Sequence, residues 1–282
     1  MAPLDDVLGG GISLGELFLV LAYPKIGKTT WLINQGAWCA RLSRQPVLHI
    51  NLEGTTRLVT ARYDSFFSTD LYQNVKTGNL DPKLYRELVA EYRELRGLLV
   101  VRTLNDWDVN VTHIEAELTE LAAQGFKPKM IVVDYLDLLR SRDKKQTETH
   151  EQIDAAKDLK RLANKGYAIW TASQGRRPKP GDDEREHLLR AADIADAFGK
   201  IRIADGYGSL NATREERLRN EMRLYWEGYR DAPVGRIWRM YNANERMRLA
   251  VNVERVQETL SDSPKERRTA ALPGVRPHDF AG

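Results

Sequence analysis

Cysteine is almost absent from the 282-residue sequence, which contains Cys39 alone. A single cysteine cannot form a disulfide within the chain, and such a composition fits the reducing cytoplasm. It also excludes a zinc site built from several cysteines. No apolar run approaches the roughly 18–20 residues of a membrane span, and the N-terminus lacks the charged-then-apolar pattern of a secretory signal. We therefore expect a cytoplasmic protein with no membrane partner.

An excess of charge of one sign is also missing, since 43 Lys and Arg face 40 Asp and Glu, for a formal net charge of +3. This balance does not by itself indicate nucleic acid, which would need a local concentration of cations. No internal repeat and no second hydrophobic core is evident. The sequence predicts one domain over residues 1–260, followed by a Pro-, Arg- and Ser-rich tail, 261–282, that we expect to be disordered.

Short apolar runs alternate with helical patterns over the first 200 residues. The helices are predicted at 29–41, 113–123 and 149–164. Continuous apolar strands separated by helices are typical of a parallel sheet that is covered on both faces. The predicted fold class is therefore α/β, with a mainly parallel sheet flanked by helices and with buried strands at Leu17–Ala22, 46–52, 98–101, 130–133 and 167–172.

The pattern changes after about residue 200, where apolar and polar residues alternate in short segments separated by turns. Such alternation predicts antiparallel strands that extend the edge of the sheet. The segments are 201–204, 222–226, 236–240 and 247–250.

The strand Leu17–Ala22 leads directly into a Walker A pattern, with Ala22 in place of the first glycine. A tight loop followed by a helix points backbone N–H groups at phosphates, and the positive end of the helix dipole adds to the attraction. In this pattern Lys28 reaches the outer phosphates and the Thr29 hydroxyl binds Mg²⁺. We expect nucleotide contacts from Pro24, Lys25, Ile26, Gly27, Lys28, Thr29 and Thr30.

Polar residues at the ends of other strands are the candidates for the remaining chemistry. Asp134 follows the apolar run 130–133 and is predicted to hold Mg²⁺, the alternative being a helix cap or turn residue. Glu53 follows the second strand and is predicted to activate water; otherwise it is an exposed strand-end residue. Gln174 ends the fifth strand and is predicted to contact the γ-phosphate, unless it is only a polar turn residue. Since parallel strands end at the same edge of a sheet, these side chains should meet there.

Taken in order, these segments resemble the RecA-like ATPases, and most closely the DnaB-type helicases. The loop with Ala22 and Pro24 resembles the helicase phosphate loop, and Ser173-Gln174 matches the Ser-Gln of that family. Three further segments resemble the Ser-Leu-Glu, Asp-Tyr-Leu-x-Leu and Arg-Asn-Gly-Pro-x-Gly motifs of the helicases: Asn51-Leu52-Glu53, Asp134-Tyr135-Leu136-Asp137-Leu138 and Tyr229-Arg230-Asp231-Ala232-Pro233-Val234-Gly235.

The resemblance implies a homo-oligomer, usually a hexameric ring, with ATP bound between subunits. By the motif match, Arg230 would be the arginine finger that enters a neighbour's site; otherwise it is a solvated hairpin arginine. Gly228 stands where the family commonly has a lysine. We expect a short form without the N-terminal helical domain of the bacterial helicases. Primase or a helicase loader would be a further partner.

A cation-rich segment follows Gln174, and in RecA-like folds the corresponding loop lines the central channel. Arg176, Arg177 and Lys179 are therefore predicted to contact the phosphates of single-stranded DNA without reading sequence. The acidic run 182–184 could instead neutralise these cations. A second basic segment, 140–145, could face the same channel or be a solvated charge run.

The function predicted from the sequence is an ATP-dependent DNA helicase motor that hydrolyses ATP with Mg²⁺ while moving on single-stranded DNA. Two alternatives stay open. One is a recombinase-like filament that pairs strands, and the other is a regulatory ATPase of the KaiC type that does not unwind DNA.

Overall fold

A single mixed sheet organises the computed structural model, which describes residues 4–5, 8–142, 147–175, 188–190, 198–229 and 235–256. Within these ranges the strand order is β3-β2-β4-β5-β1-β6-β7-β8-β9. The strands are β1 (Leu17–Ala22), β2 (Val47–Asn51), β3 (Leu99–Thr103), β4 (Met130–Asp134), β5 (Ala168–Gln174), β6 (Gly206–Asn211), β7 (Glu221–Tyr229), β8 (Arg236–Ala243) and β9 (Arg248–Val256).

The first six strands of the chain are parallel to one another, and the apolar runs predicted the first five of them. Strand register fixes which residues meet at the carboxyl edge. Ala22 lies beside Gln174 on neighbouring strands, and Asn51 lies beside Asp134. Strand β1, which precedes the phosphate loop, therefore lies beside β5, which carries Gln174, the residue predicted to contact the γ-phosphate.

Helices connect the strands and cover both faces of the sheet. They are α1 (Lys28–Leu42), α2 (Thr56–Ser68), α3 (Tyr72–Thr77), α4 (Pro82–Leu95), α5 (Val111–Ala123), α6 (Glu148–Ala163), α7 (Phe198–Ile201) and α8 (Arg214–Leu218). Helices α1, α5 and α6 confirm the three predicted helices to within one or two residues. Helices α2, α3 and α4, between β2 and β3, are absent from the sequence prediction. None of the helices in the described ranges has the length and hydrophobicity needed to cross a bilayer.

Two hydrophobic clusters lie on opposite faces of the sheet. One packs α1, α2 and the C-terminal strands against the sheet around Trp31, Trp170 and Trp226. The other packs α5 and α6 against the opposite face. Strands β1, β2 and β4 are buried along their whole length, because both faces of each strand contact a core.

The antiparallel extension begins one strand later than predicted. Residues 201–204 were expected to form a strand, and this prediction is wrong: Ile201 ends the short helix α7, and 202–205 form a turn. The strand that follows, β6, is parallel to β1, and only β7, β8 and β9 are antiparallel to their neighbours. The alternating segments 222–226, 236–240 and 247–250 fall on these three strands, apart from Met247 just before β9.

The first residue of β6 must be small, because aromatic rings of the core crowd it. A Cβ atom on Gly206 would lie 1.8 Å from Cε1 of Phe18 and 3.0 Å from Cζ2 of Trp226. A glycine at this point therefore lets β6 approach β1 beside an aromatic cluster of the core.

The C-terminal strands brace the helix that follows the phosphate loop. Asn34 is fully buried in α1; its Nδ2 donates to the carbonyl oxygen of Met247 over 2.8 Å, and its Oδ1 accepts from the backbone N–H of Leu249 over 3.0 Å. One turn earlier, the Thr30 hydroxyl donates to Oδ1 of Asn244 over 2.6 Å. Because buried polar groups are costly to leave unpaired, these bonds fix the position of α1 against β9.

Several predicted features lie outside the described residues. They are Arg176, Arg177 and Lys179, the finger candidate Arg230, part of the second basic segment and the tail 261–282. The domain boundary at residue 260 stays a prediction for the same reason.

Candidate active site

The phosphate loop joins β1 to α1 through two left-handed backbone conformations. Gly27 caps the helix with φ of +116°, a left-handed conformation that favours glycine, and Lys25 has φ of +67°. Gly27 offers no side chain to cap the helix, so the first-turn N–H groups of α1 can bind a phosphate. The loop itself is anchored by Ile26, which is buried and whose N–H donates to the Tyr23 carbonyl oxygen over 3.3 Å.

The predicted loop residues differ in whether they form the turn or pack into the core. Pro24, Lys25 and Gly27 form the turn, whereas Ile26 packs inward. Thr30 is buried, and its hydroxyl bonds to Asn244 rather than facing a phosphate. Lys28 and Thr29 remain the main candidates for phosphate and metal contacts.

Lys28 lies at the centre of the carboxyl edge. Its Nζ donates to Oε1 of Gln174 over 3.3 Å and lies 5.2 Å from the centroid of the Tyr135 ring. Contact with an aromatic face and an amide oxygen positions the ammonium without neutralising its charge. The cation therefore stays available for an anionic ligand.

Burial lowers the pKa of Lys28 from its ordinary value, and three nearby carboxylates oppose that shift. In order of their influence they are Asp137, Asp134 and Glu53. The structure therefore brings the predicted Mg²⁺ ligand and the predicted water-activating acid into the electrostatic range of the predicted phosphate-binding lysine.

Asp134 ends β4 and is almost fully buried, with 4% of its surface exposed. Burial raises the pKa of its carboxyl to about 6, although a hydrogen bond from the Thr29 hydroxyl acts in the opposite direction. Its Oδ1 is buried without a hydrogen-bond partner. A carboxylate oxygen of this kind, next to a threonine hydroxyl, fits the hard oxygen ligands that Mg²⁺ prefers. The residues therefore fit the ion that the sequence predicted.

Glu53 reaches the same edge because the chain after β2 stays paired with β4. The N–H of Leu52 donates to the Asp134 carbonyl oxygen over 2.9 Å, and Glu53 follows immediately. Its side chain is exposed, in contrast to Asp134. An exposed carboxylate beside the predicted phosphate-binding lysine is accessible to water.

Gln174 is held at the end of β5 by Asp137. Asp137 was named from the sequence only as part of a motif. Oδ2 of Asp137 accepts from the backbone N–H of Gln174 over 2.6 Å, and its Oδ1 accepts from the Ser173 hydroxyl over 2.7 Å. Asp137 lies in a short 3₁₀ turn, Leu136–Leu138, directly after β4. Its spacing of three residues from Asp134 was the available signal, because a turn after a strand returns its third residue to the strand end.

Comparisons with known proteins point to helicase domains. The family model of the DnaB-like helicase C-terminal domain matches residues 1–185. The chain is 25% identical to the replicative DNA helicase DnaB of Haemophilus influenzae over 162 residues, covering 56% of this chain and 34% of that protein. It is 26% identical to DnaB of Helicobacter pylori over 205 residues, covering 71% of this chain and 40% of that one. The chain thus spans little more than a third of the length of the curated relatives it matches.

Solved structures show the same fold at low sequence identity. One solved ATPase domain superposes with a TM-score of 0.75 at 18% identity, covering 90% of this chain and 89% of that one. A DnaB-like replicative helicase, studied with its interactions with primase, gives a TM-score of 0.74 at 18% identity and covers 89% and 60% of the two chains. The fold is therefore that of the RecA-like ATPase domains in DnaB-type helicases.

The buried carboxylate of Asp134 yields a prediction that separates stability from binding. Asp134 has a higher pKa in the folded protein than in the unfolded chain. The free energy of unfolding therefore falls as the pH rises through the range between these two pKa values, and it stays lowered at neutral pH. Asp134→Asn should therefore raise the free energy of unfolding by about 1–3 kcal/mol at pH 7.5. Chemical denaturation without nucleotide measures this.

The same variant should lose the metal dependence of nucleotide binding. In the parent protein ATP should bind more tightly with Mg²⁺ than with EDTA, and Asp134→Asn should reduce that ratio. The exposed Asp108 provides a matched control, because Asp108→Asn removes one carboxylate from a loop and should change neither measurement. A ratio that is unchanged in Asp134→Asn would contradict the assignment of Asp134 as a metal ligand.

Proposed function

The chain belongs to the DnaB-like helicase C-terminal domain family, and from this premise we propose that it hydrolyses ATP and uses the energy to move on single-stranded DNA. The observation that carries the proposal is the meeting of Lys28, Asp134, Glu53 and Gln174 at one edge of the sheet. Each of these residues comes from a different strand end or strand-following loop. A nucleotide in the phosphate loop would lie within reach of all four.

Nucleotide binding is assigned to the phosphate loop and the first turn of α1. The backbone N–H groups of the loop and of the first turn of α1 would hold the phosphate oxygens, and Lys28 adds a positive charge that attracts a triphosphate. The Thr29 hydroxyl and the Asp134 carboxylate would hold Mg²⁺, which when bound offsets the negative charge of the phosphates. Tyr135 limits the space around the Lys28 ammonium.

Hydrolysis is assigned to Glu53 and Lys28. The Glu53 carboxylate orients a water molecule and accepts its proton as the water oxygen bonds to the γ-phosphorus. The bond from phosphorus to the bridging oxygen breaks, which leaves ADP and phosphate. Lys28 stabilises the charge that develops on the transferred group, and Gln174 contacts that group, so its position depends on whether a γ-phosphate is present.

Assembly and DNA binding are the remaining parts of the proposal. We propose a homo-oligomer, a hexameric ring, in which Arg230 of one subunit completes the site of the next. Arg176, Arg177 and Lys179 begin two residues after Gln174 in the sequence, so their contacts with strand phosphates would respond to the nucleotide. Primase or a loader would be a further partner in the cytoplasm.

Exchanging the water-activating carboxylate should separate binding from turnover. Glu53→Gln keeps the size of the side chain but removes the base, so it should retain the ATP affinity of the parent within about twofold while lowering phosphate release at least about a hundredfold. Lys28→Ala should weaken ATP binding itself. Equilibrium binding of a fluorescent ATP analogue and a phosphate-release assay measure the two effects.

The matched control for this exchange is Glu120→Gln on the exposed face of α5, which should leave both values unchanged. Full turnover by Glu53→Gln would overturn the role of Glu53 and make Asp137 or another acid the candidate. Unaltered ATP binding by Lys28→Ala would overturn the nucleotide site.

Mixing two inactive variants tests whether Arg230 acts on a neighbour. Arg230→Ala and Lys28→Ala should each be inactive alone, yet a mixed assembly contains interfaces that pair an intact Lys28 with an intact Arg230. Because an arginine finger contributes roughly 10³–10⁵-fold in rate, a small fraction of such interfaces should give measurable ATP hydrolysis. Absence of activity in mixtures that still co-assemble, as seen by size-exclusion chromatography with light scattering, would show that Arg230 does not act in trans.

A further inference from the structure

A buried lysine that the proposed chemistry does not use lies beneath the active site. Lys200, on the short helix α7, is 3% exposed. Its Nζ donates to Oδ1 of Asp137 over 2.7 Å, to Oε1 of Gln152 over 2.9 Å and to the Ser173 hydroxyl over 2.9 Å. The three donors of the ammonium are therefore matched by three acceptors from three different elements.

Stability alone is a weak reason for such an arrangement. Removing a lysine and an aspartate from water is costly, and replacing a buried ion pair by apolar residues of similar size is often neutral or stabilising. A buried pair is best explained when the charges hold something in a defined position.

Asp137 forms hydrogen bonds with other groups besides Lys200. Its two carboxylate oxygens accept from the Ser173 hydroxyl and from the backbone N–H of Gln174, the last two residues of β5. Lys200 donates to the same carboxylate and to the same serine. The ammonium thereby fixes Asp137, and Asp137 fixes the backbone of Gln174.

From Gln174 the connection continues to the phosphate-binding lysine. Oε1 of Gln174 accepts from Nζ of Lys28 over 3.3 Å. With Oε1 occupied in this way, the Nε2 hydrogens are the part of the amide that can donate to a phosphate oxygen. A continuous series of bonds therefore runs from Lys200 through Asp137 and Gln174 to Lys28.

We propose that Lys200 is a positioning residue that sets how well the site distinguishes a nucleoside triphosphate from a diphosphate. It acts through Asp137, which holds Gln174 where its amide meets the γ-phosphate. The inference rests on the proposed function, because it requires that the pocket around Lys28 binds nucleotide. Lys200 itself touches neither the nucleotide nor Lys28.

The measurement is the ratio of dissociation constants for ADP and for the non-hydrolysable triphosphate AMP-PNP. Lys200→Met keeps the length of the side chain and removes the charge, so Gln174 loses its fixed backbone position. The ratio should fall about tenfold, the effect of one hydrogen bond to a charged group. Affinity for ADP should stay within about twofold, because ADP has no γ-phosphate for Gln174 to contact.

A second variant separates this role from a merely structural one. Lys200→Met leaves Asp137 as an uncompensated charge and should lower the thermal midpoint. The double variant Lys200→Met/Asp137→Asn removes that charge and should regain part of the lost thermal stability. Its ratio of dissociation constants for ADP and AMP-PNP should stay as low as that of Lys200→Met. In a Gln174→Ala background, Lys200→Met should lower the ratio no further, because the residue through which it acts is gone.

Lys160 supplies a matched control. Its Nζ donates to Oδ2 of Asp205 over 2.6 Å and to the carbonyl oxygen of Gly15 over 2.7 Å, at the opposite edge of the sheet. Lys160→Met should lower the thermal midpoint and leave the ADP to AMP-PNP ratio unchanged.

The outcomes separate this inference from the proposed function. A parent protein that prefers AMP-PNP, together with a Lys200→Met variant that prefers it equally, would overturn the role of Lys200 and leave the proposed function standing. A further loss of preference on adding Lys200→Met to Gln174→Ala would also overturn it. A parent protein that binds neither nucleotide would overturn the proposed function, and this inference with it.

Discussion

The candidate site depends on the burial of the Lys28 ammonium, which removes a charged group from water. Burial is the largest influence on the pKa of Lys28, and it acts against the charged form. Carboxylates at the same edge offset part of that cost, and they are there because parallel strands end together. Asp134 and Glu53 reach Lys28 from β4 and from the turn after β2, and Asp137 comes from the turn after β4. The sheet topology therefore determines the electrostatics of the site.

The second requirement is a rigid support for the phosphate loop. The loop is held from behind by α1, and α1 is tied to the C-terminal strands through Asn34 and Thr30. The antiparallel extension therefore also fixes the helix that follows the phosphate loop. A phosphate site built from backbone N–H groups needs such support, since the position of the backbone sets the geometry of binding.

Features that depend on local patterns could be predicted from the sequence. The phosphate loop, the buried strands and the acids at the strand ends follow from apolar runs with a polar residue after each. Helix α4 also carried a readable signal, since Asp81 precedes Pro82 and its carboxylate accepts from the N–H groups of Lys83 and Leu84. An aspartate before a proline is a typical helix start, so its omission was an error of interpretation.

Features that depend on distant contacts could not be predicted in this way. Residues 201–204 alternate like a strand, but a four-residue pattern is too short to distinguish a strand from the end of a helix. Lys200 in α7 bonds to Asp137 and Gln152, and these contacts tie this part of the chain to the core. Those partners lie 63 and 48 residues away. The spacing of Asp137 from Asp134 indicates that Asp137 lies near the end of β4, but its bond to the backbone N–H of Gln174 depends on the pairing of β4 with β5.

The measurement that tests the central claim most directly is the rate of ATP hydrolysis by the purified chain with and without unstructured single-stranded DNA. A DNA-coupled motor should release phosphate from ATP slowly on its own and several-fold faster with DNA, and Lys28→Ala should abolish both rates. Hydrolysis that is indifferent to DNA, or no hydrolysis under either condition, would contradict the account. The second result would favour a regulatory nucleotide-binding module built on the same fold.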